Sequence, residues 1–549
     1  MPPHDAPSRR TALKIVLAAA ATSLHLPKAF AMTSAEPIAE TQLGRVRGRL
    51  DGDVMSFRGI RYARAGRFLP PEAPQPWTGV ADATAFGASA PQSNPNPPPG
   101  PPYVILAQLP RTANAPPPPP PLPESEDCLF LNVWTAGLRD GRKRPVMVSL
   151  HGGFFYGGSG SAVDGSKLAA RGDVVFVSVN HRLNAFGYTH LAGLDDSGEF
   201  AHSGNAGMQD IIFALQWIRD NIESFGGDPA RVMVFGTSGG GMKTTFLMSS
   251  PQASGLIHRA GVQSGPALRF MERDDAAVAT DRLLHALGIP QNDWQKLRTL
   301  PVQTLLAGYH AVAEEMKPRN FTHLPCFAPV IDDVLLPHHP FSPAAAPLTK
   351  AVPMLIGCNG QEMSFFWGND PGAFTLDDQG LRTRSATFLG ERTDAVLATY
   401  RQVYPDSTPS RLFLQLFSDY SIQAPVIAQA ERKEGAPAWL YRLDYQSPAL
   451  GGKLGALHTL ETPFILNNPQ GSRALLGDGD APATLAARMS SAWVAFATNG
   501  DPNDQASELP HWPAYDTSAR ATMLLDTTCR VEADAGRLAR ETMADLVEG

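Results

Sequence analysis

The sequence contains one serine whose neighbours could turn its hydroxyl into a nucleophile. The apolar run 232–235 leads into Gly236-Thr237-Ser238-Gly239-Gly240, which has the pattern G-x-S-x-G. In a strand–turn–helix unit of this kind, the turn holds the serine in a strained conformation and exposes its hydroxyl at the start of the helix. There the NH of Gly239 and the helix dipole can stabilise an oxyanion. Ser238 is therefore the candidate nucleophile, and the alternative is a glycine-rich turn with an ordinary serine.

A serine hydroxyl needs a base to take its proton, and the base needs an acid to orient it. In hydrolases built around this turn, the acid and then the histidine follow the serine along the chain. Glu362 follows the apolar run 353–357, and His458 follows the strand-like run around 441–443. The two residues fit the expected order and are the candidate acid and base.

Other residues compete for both roles. Asp332 and Asp333 could supply the acid, although their surroundings favour a turn. The competing histidines lie in proline-rich stretches that favour surface loops, and they are His323, His338 and His339. On position alone, the choice of Glu362 and His458 stays open.

A second glycine-rich stretch could complete the site for an oxyanion. His151-Gly152-Gly153 follows the apolar run Arg144–Leu150. Glycines at such a position let backbone NH groups point inward without side chains in the way. A tight turn without chemistry is the alternative, and it is disfavoured because the motif follows a strand and lies upstream of the serine.

Strands and helices alternate around these residues. Strand-like runs occur at 41–48, 53–60, 128–134, 144–150, 174–180, 353–357 and 439–445. Apolar residues at helical spacing precede the serine strand, and they are Met208, Ile211, Ile212, Leu215, Ile218 and Ile222. Such alternation predicts an α/β fold in which a large, mostly parallel sheet carries helices on both faces.

The composition is that of a globular protein with a large core. The chain has 549 residues, of which 43% are hydrophobic and 18% charged. A net charge of -7 gives no sign of nucleic-acid binding. The cysteines are too few for a disulfide scaffold and form no C-x-x-C pair or Cys/His cluster, so neither a metal nor a cofactor is expected; they are Cys128, Cys326, Cys358 and Cys529.

Residues 1–31 have the pattern of an export signal. Arg9 and Arg10 precede a short apolar stretch, and Ala29-Phe30-Ala31 offers a cleavage site. The apolar stretch is too short to act as a permanent membrane anchor. The sequence thus predicts a twin-arginine signal, export to the periplasm or medium, and a single catalytic domain over 32–549. A cytoplasmic N-terminal tail is the alternative.

Proline dominates residues 94–123. This composition predicts an irregular loop with polyproline character, inserted at the surface near the site entrance. Binding of an SH3-like partner is the alternative role for such a stretch.

Taken together, the motifs make the chain similar to type-B carboxylesterases, the family that includes cholinesterases and bacterial broad-specificity esterases. The resemblance extends over about residues 42–525. Besides the serine and glycine motifs, it is carried by the segments 57–63, 125–132, 180–183, 204–207, 225–229, 263–265 and 493–497.

The resemblance implies an α/β-hydrolase fold and selects Glu362 as acid and His458 as base. It also implies an oxyanion hole formed by the NH groups of Gly153, Phe154 and Gly239. Ser264 matches a buried serine of the family that supports the triad residues without contacting the substrate. Two ion pairs of the family, which are structural, match Arg67 with Glu126 and Arg182 with Asp210.

The sequence also departs from the family pattern. Thr237 and Gly239 replace the usual glutamate and alanine on either side of the serine. Phe154 stands where the family mostly has glycine or alanine, so its ring should crowd the acyl side of the pocket. Ala90 replaces the cysteine that normally pairs with Cys128, so a free, buried Cys128 thiol is expected.

These observations predict a cofactor-free serine esterase that acts on a small-molecule ester through an acyl-enzyme. An amidase or thioesterase would use the same residues. A non-catalytic, esterase-like binding protein would be expected to lack a triad member, and none is missing here. The sequence leaves the ester and the oligomeric state open.

Overall fold

The computed structural model describes residues 36–94, 122–317 and 324–547. Residues Pro37–Gly549 form one compact unit. The predicted signal over 1–31, most of the proline-rich stretch 94–123 and His323 lie outside the described residues, and what was predicted for them stays a prediction.

A large twisted sheet forms the centre of the molecule. In the described part of the chain it has eleven strands in the order β3-β4-β8-β10-β9-β11-β12-β13-β14-β15-β16. Their bounds are Arg49–Asp51 (β3), Val54–Arg61 (β4), Phe130–Thr135 (β8), Arg144–Leu150 (β9), Val175–Val179 (β10), Gly227–Thr237 (β11), Arg259–Gln263 (β12), Met354–Asn359 (β13), Ala438–Leu443 (β14), Ala521–Leu525 (β15) and Arg530–Ala533 (β16). One small sheet contains Ile38–Thr41 (β1), Gly44–Arg47 (β2) and Val80–Asp82 (β7). A second small sheet contains Arg64–Ala65 (β5) and Pro71–Glu72 (β6).

Parallel pairing joins seven neighbouring strands of the sheet, β10, β9, β11, β12, β13, β14 and β15. Antiparallel strands lie at both edges of the sheet. Every residue of β9 and β10 is buried. This is the burial expected for parallel strands that are covered by helices on both faces, and it explains their continuous apolar sequences. The expected α/β-hydrolase fold is confirmed.

Helices cover both faces of the sheet. The α-helices are Ser166–Gly172, Asn184–Tyr188, Ala206–Asn221, Gly239–Ser249, Arg273–Ala286, Val302–Glu315, Met363–Phe366, Asp378–Leu389, Thr393–Val403, Pro409–Ser418, Ala424–Arg432, Ala449–Gly452, Thr462–Ile465, Arg473–Leu476, Asp480–Asn499 and Arg537–Met543. A π-helical turn, Asp419–Gln423, joins two of them. In β11, Val232 and Val234 belong to the core on one face, and Met233 and Phe235 to the core on the other.

The strands predicted from the sequence are found within a few residues of their expected positions. β9 has the predicted bounds, and the predicted helix before the serine strand is Ala206–Asn221. In the central sheet, sequence reasoning missed β3, β12, β15 and β16. β12 is short and contains Gly261, which weakens the signal of a strand, because glycine has no side chain to pack on a sheet.

Cys128 is buried and unpaired, as predicted, and burial raises the pKa of its thiol. Both predicted ion pairs are present. Arg67 pairs with Glu126, and Arg182 pairs with the fully buried Asp210 at 2.7 Å. None of the helices in the described ranges has the length and apolar character needed to span a membrane.

Candidate active site

Ser238 lies on a sharp turn between β11 and the helix Gly239–Ser249, which we call the elbow helix. Its φ of 60° and ψ of -126° form a strained combination for a residue with a side chain. The turn also brings strand and helix very close, because a Cβ on Gly236 would lie 2.3 Å from the carbonyl oxygen of Leu150 and 2.8 Å from Cα of Gly240. Only glycine fits there, and the turn therefore holds Ser238 at the start of the elbow helix.

His458 and Glu362 form a buried pair beside this turn. His458 Nδ1 lies 2.6 Å from Glu362 Oε2, and Glu362 Oε1 accepts a hydrogen bond from the NH of Asn359 at 2.6 Å. Glu362 follows β13 and His458 follows β14, which are neighbouring parallel strands. Their carboxyl ends meet at one edge of the sheet, and this brings the acid and the histidine together.

The other ring nitrogen of His458 is available for chemistry. Nε2 is buried and has no hydrogen-bond partner among the described residues. His458 and Ser238 line the same cavity, although the described atoms show no hydrogen bond between Nε2 and the serine hydroxyl. Such bonds are often long in the absence of substrate. The ring of His458 packs on Phe366, with the ring centres 4.8 Å apart.

Three of the competing residues, Asp332, Asp333 and His339, make contacts with residues other than His458. Asp332 accepts hydrogen bonds from the NH groups of a turn and from Asn205, and its Oδ2 lies 3.1 Å from His202 Nδ1. Asp333 is exposed and pairs with Arg273. His339 lies 2.9 Å from Glu272. Among the described acids, Glu362 is the one that contacts His458, as expected for the candidate acid and base.

The glycine-rich loop after β9 lies against the start of the elbow helix. Gly153 and Phe154 both have positive φ, 81° and 48°, and the described residues supply no acceptor for their NH groups. A Cβ on Gly239 would lie 2.3 to 2.5 Å from the main chain of Phe154. The three NH groups predicted to form the oxyanion hole therefore belong to two segments in close contact.

Two cavities of about 680 Å³ each open onto Ser238. One extends between Leu268, Met271 and Phe366. The other extends along the glycine-rich loop and past Tyr156. Four residues line both cavities, and they are Phe154, Ser238, Phe366 and His458. The ring of Phe154 stacks on Tyr156 at 5.6 Å between centres.

A second buried carboxylate, Glu461, was not singled out from the sequence. Its Oε1 accepts a hydrogen bond from the hydroxyl of Thr237 at 2.6 Å, and its Oε2 accepts one from the amide of Asn359 at 2.7 Å. Burial and the nearby charge of Glu362 raise its pKa. The available signal was its position three residues after His458, close to one helical turn. Glu461 links the serine turn to the loop that carries Glu362.

Ser264 has a positive φ of 48° and lines the cavity that contains Leu268 and Met271, beside Ser238. Its hydroxyl is buried and has no hydrogen-bond partner among the described residues, so no bond from it to His458 or Glu362 is present. The parts of the chain that the structure describes also contain no group of side chains able to hold a metal ion.

The sheet, the strained serine at the start of a helix and the carboxylate–histidine pair from two later loops define an α/β-hydrolase. The Carboxylesterase family model matches residues 35–541, and the chain belongs to this family. It is accordingly a serine carboxylic-ester hydrolase, as its sequence predicted.

Relatives and solved structures agree with this assignment. Para-nitrobenzyl esterase from Bacillus subtilis is 34% identical over 510 residues, which cover 90% of this chain and 96% of that protein. Liver carboxylesterase from Sus scrofa is 30% identical, with 87% and 88% covered. The crystal structure of carboxylesterase EST55 from Geobacillus stearothermophilus superposes with a TM-score of 0.77 at 32% identity, covering 92% of this chain and 99% of that one.

Proposed function

We propose that Ser238, His458 and Glu362 are the catalytic triad and that small carboxylic esters are hydrolysed through an acyl-enzyme on Ser238. The observation that carries the proposal is the 2.6 Å contact between His458 Nδ1 and Glu362 Oε2. This contact fixes the tautomer in which Nε2 can accept a proton. Nε2 has no hydrogen-bond partner among the described residues and lies in the cavity that the strained serine also lines.

In the first half of the reaction, Ser238 Oγ attacks the ester carbonyl carbon while His458 Nε2 takes the hydroxyl proton. The imidazolium is stabilised by the Glu362 carboxylate. When the tetrahedral intermediate collapses, the alcohol leaves with the proton from Nε2. Water then attacks the acyl-enzyme with the same base, and the acid is released.

Negative charge on the former carbonyl oxygen needs donors that are in place before the reaction. We assign this role to the NH groups of Gly153, Phe154 and Gly239. Support comes from the NH groups of the first two, for which the described part of the chain offers no acceptor, and from the dipole at the start of the elbow helix.

The two cavities suggest the kind of ester. Each has room for a group of moderate size on one side of the scissile bond, and the mostly apolar lining of both suits aliphatic or aromatic groups. Relatives named para-nitrobenzyl esterase and phenmedipham hydrolase point the same way. A panel of p-nitrophenyl esters of increasing acyl length, run beside bulky aromatic esters, would define the preference.

Covalent labelling tests the assignment of the nucleophile. Paraoxon should add one diethyl phosphoryl group to the peptide that contains Ser238, and activity should fall in proportion. S238A and H458A should each lose about as much activity as the double variant, because the residues act as a unit. Labelling of a different serine would refute the assignment.

We also propose that the protein is exported in the folded state. The support is Arg9-Arg10 followed by a short apolar stretch and Ala29-Phe30-Ala31. Changing both arginines to lysine should leave the precursor in the cytoplasm of the native host. Unchanged export of that variant would refute the proposal.

A further inference from the structure

One charged group near the site takes no part in the reaction described above. Lys243 lies in the elbow helix, five residues after Ser238, and is completely buried. Its Nζ donates a hydrogen bond to the carbonyl oxygen of His151 at 2.9 Å. Lys243 lines neither of the two cavities that open onto Ser238, so it cannot touch substrate.

The contact follows from the geometry of the elbow. Side chains of a helix point back towards its N-terminus, so Lys243 reaches towards the first turn. There the helix packs against the end of β9, where His151 follows directly. The carbonyl that Lys243 holds is thus the last one before Gly152, Gly153 and Phe154, the loop that carries two of the proposed oxyanion donors.

The charge of Lys243 is not balanced by an acid. Within the described ranges it has no carboxylate at ion-pair distance, and its other near neighbour is the ring of Phe155, whose centre lies 5.8 Å from Nζ. Two buried histidines face it, His151 and His181, whose rings stack at 4.8 Å. Beyond them lies Arg182, whose charge is already paired with Asp210.

These neighbours fix the charge states. Burial lowers the pKa of Lys243 to about 7. Burial first, and then the nearby Lys243, lower the pKa of both His151 and His181, so the stacked rings are neutral. A buried ammonium without an acid is costly in the resting protein. Negative charge appearing at the oxyanion hole reduces that cost, so the ammonium favours the transition state over the ground state.

We propose that Lys243 is a positioning residue of the oxyanion hole. Its hydrogen bond to the His151 carbonyl holds the loop that presents the NH groups of Gly153 and Phe154. Its positive charge favours negative charge on the acyl oxygen. This inference rests on the proposed function, because it needs an oxyanion bound at that loop.

The test compares the parent enzyme with K243M, which removes the donor and the charge while keeping a similar length. With p-nitrophenyl acetate, kcat should fall about tenfold with little change in KM, less than the 10²-fold or more for losing a direct oxyanion donor. Binding of the transition-state analogue 1,1,1-trifluoroacetophenone should weaken by a similar factor. Equal kcat and equal analogue binding would overturn the proposal.

Lys433 provides a matched control. Burial lowers the pKa of Lys433 to about 8, and its Nζ donates to backbone carbonyls of Glu434 and Ala436, away from the site. K433M therefore removes a partly buried lysine with carbonyl partners, and it should keep the parent's kcat and analogue affinity. An equal loss in K433M and K243M would overturn the proposal, because the loss would then reflect general stability.

The pH dependence separates a charge effect from a structural one. The ratio of kcat/KM between parent and K243M cancels the pH effects that both enzymes share. It should be largest below pH 7 and decrease towards pH 9, as the parent's ammonium loses its proton. A ratio that stays constant would overturn the charge effect, because loss of a purely structural contact, such as the hydrogen bond to the His151 carbonyl, lowers activity equally at every pH.

Two further measurements keep the result interpretable. K243R retains a charge throughout this range, so its kcat/KM relative to K243M should not decrease with pH; a decrease there would count against the charge effect. Paraoxon labelling of Ser238 is run on every variant. If the parent is not labelled there, the proposed function fails; if the parent and K243M are labelled and equally active, only the role of Lys243 fails.

Discussion

Nδ1 of His458 lies 2.6 Å from Oε2 of Glu362, although the two residues are 96 positions apart in the sequence. Both side chains are buried, and the carboxylate is fixed from its other oxygen by the NH of Asn359. An acid held on both oxygens can orient the imidazole in only one way. The contact therefore determines which nitrogen faces Ser238.

E362Q should fold and should lose most activity, because a carboxamide cannot hold the imidazolium and can favour the wrong tautomer. The loss in kcat should approach about 10⁴-fold, as for neutralising the acid of a serine-protease triad. D332N is the control, since Asp332 supports a turn and contacts His202 instead of His458. An inactive D332N beside an active E362Q would reassign the acid.

G239A should lower kcat because the added methyl has no room. It would lie 2.3 to 2.5 Å from the main chain of Phe154, so the oxyanion loop must move away from the elbow helix. A displacement of about 1 Å in such a site can cost about 10²-fold in rate. The double variant F154G/G239A should recover part of the lost activity. Residue 154 has a φ of 48°, and glycine at this position lets the loop adjust. Full activity of G239A would show that the loop accommodates the methyl group without displacing the oxyanion donors.

F154G should change the preference for acyl length. The ring of Phe154 lies between the two cavities, and removing it joins them into a wider space. Short p-nitrophenyl esters should be hydrolysed about as before, and long or branched ones faster. Steady-state kcat/KM over the ester panel measures this, with Y156A as comparison because Tyr156 stacks on the same ring. An equal change for all chain lengths would mean that the ring does not limit the acyl group.

D419N should stabilise the protein at neutral pH. Asp419 is buried in the π-helical turn, and burial raises its pKa from 3.8 to about 6, opposed by hydrogen bonds from Tyr400 and Gln415. Between these pH values the folded state binds more protons than the unfolded state, so stability decreases as pH rises. The loss of folding stability caused by ionising Asp419 is absent below about pH 4 and reaches about 3 kcal/mol above pH 6.

Thermal unfolding at several pH values checks this prediction. The difference in Tm between D419N and the parent should increase from pH 4.5 to pH 7.5, because the carboxamide does not titrate. The stabilisation by D419N will be smaller than the loss of stability caused by ionised Asp419 where the side-chain NH₂ group of the asparagine faces the donors of Tyr400 and Gln415. A difference that decreases with pH would contradict the assignment of a raised pKa to Asp419.

The sequence by itself determined the fold class and identified Ser238 as the candidate nucleophile. Both follow from local sequence patterns. Continuous apolar runs indicate parallel strands such as β9, and small residues on either side of Ser238 indicate a turn in which larger side chains would clash. From residue spacing alone it left open which acid serves His458, and only the resemblance to a known family chose Glu362.

Tertiary structure decided which distant residues meet. Glu362 reaches His458 because β13 and β14 are adjacent in the sheet, and strand order is set by packing over the whole chain instead of by nearby residues. The same holds for Lys243 and the carbonyl of His151, and for Glu461 and Thr237. A lysine inside an apolar helix or a glutamate after a histidine has no local signature of burial. Its role follows from what the fold places around it, because burial and neighbouring charge set the protonation of such groups.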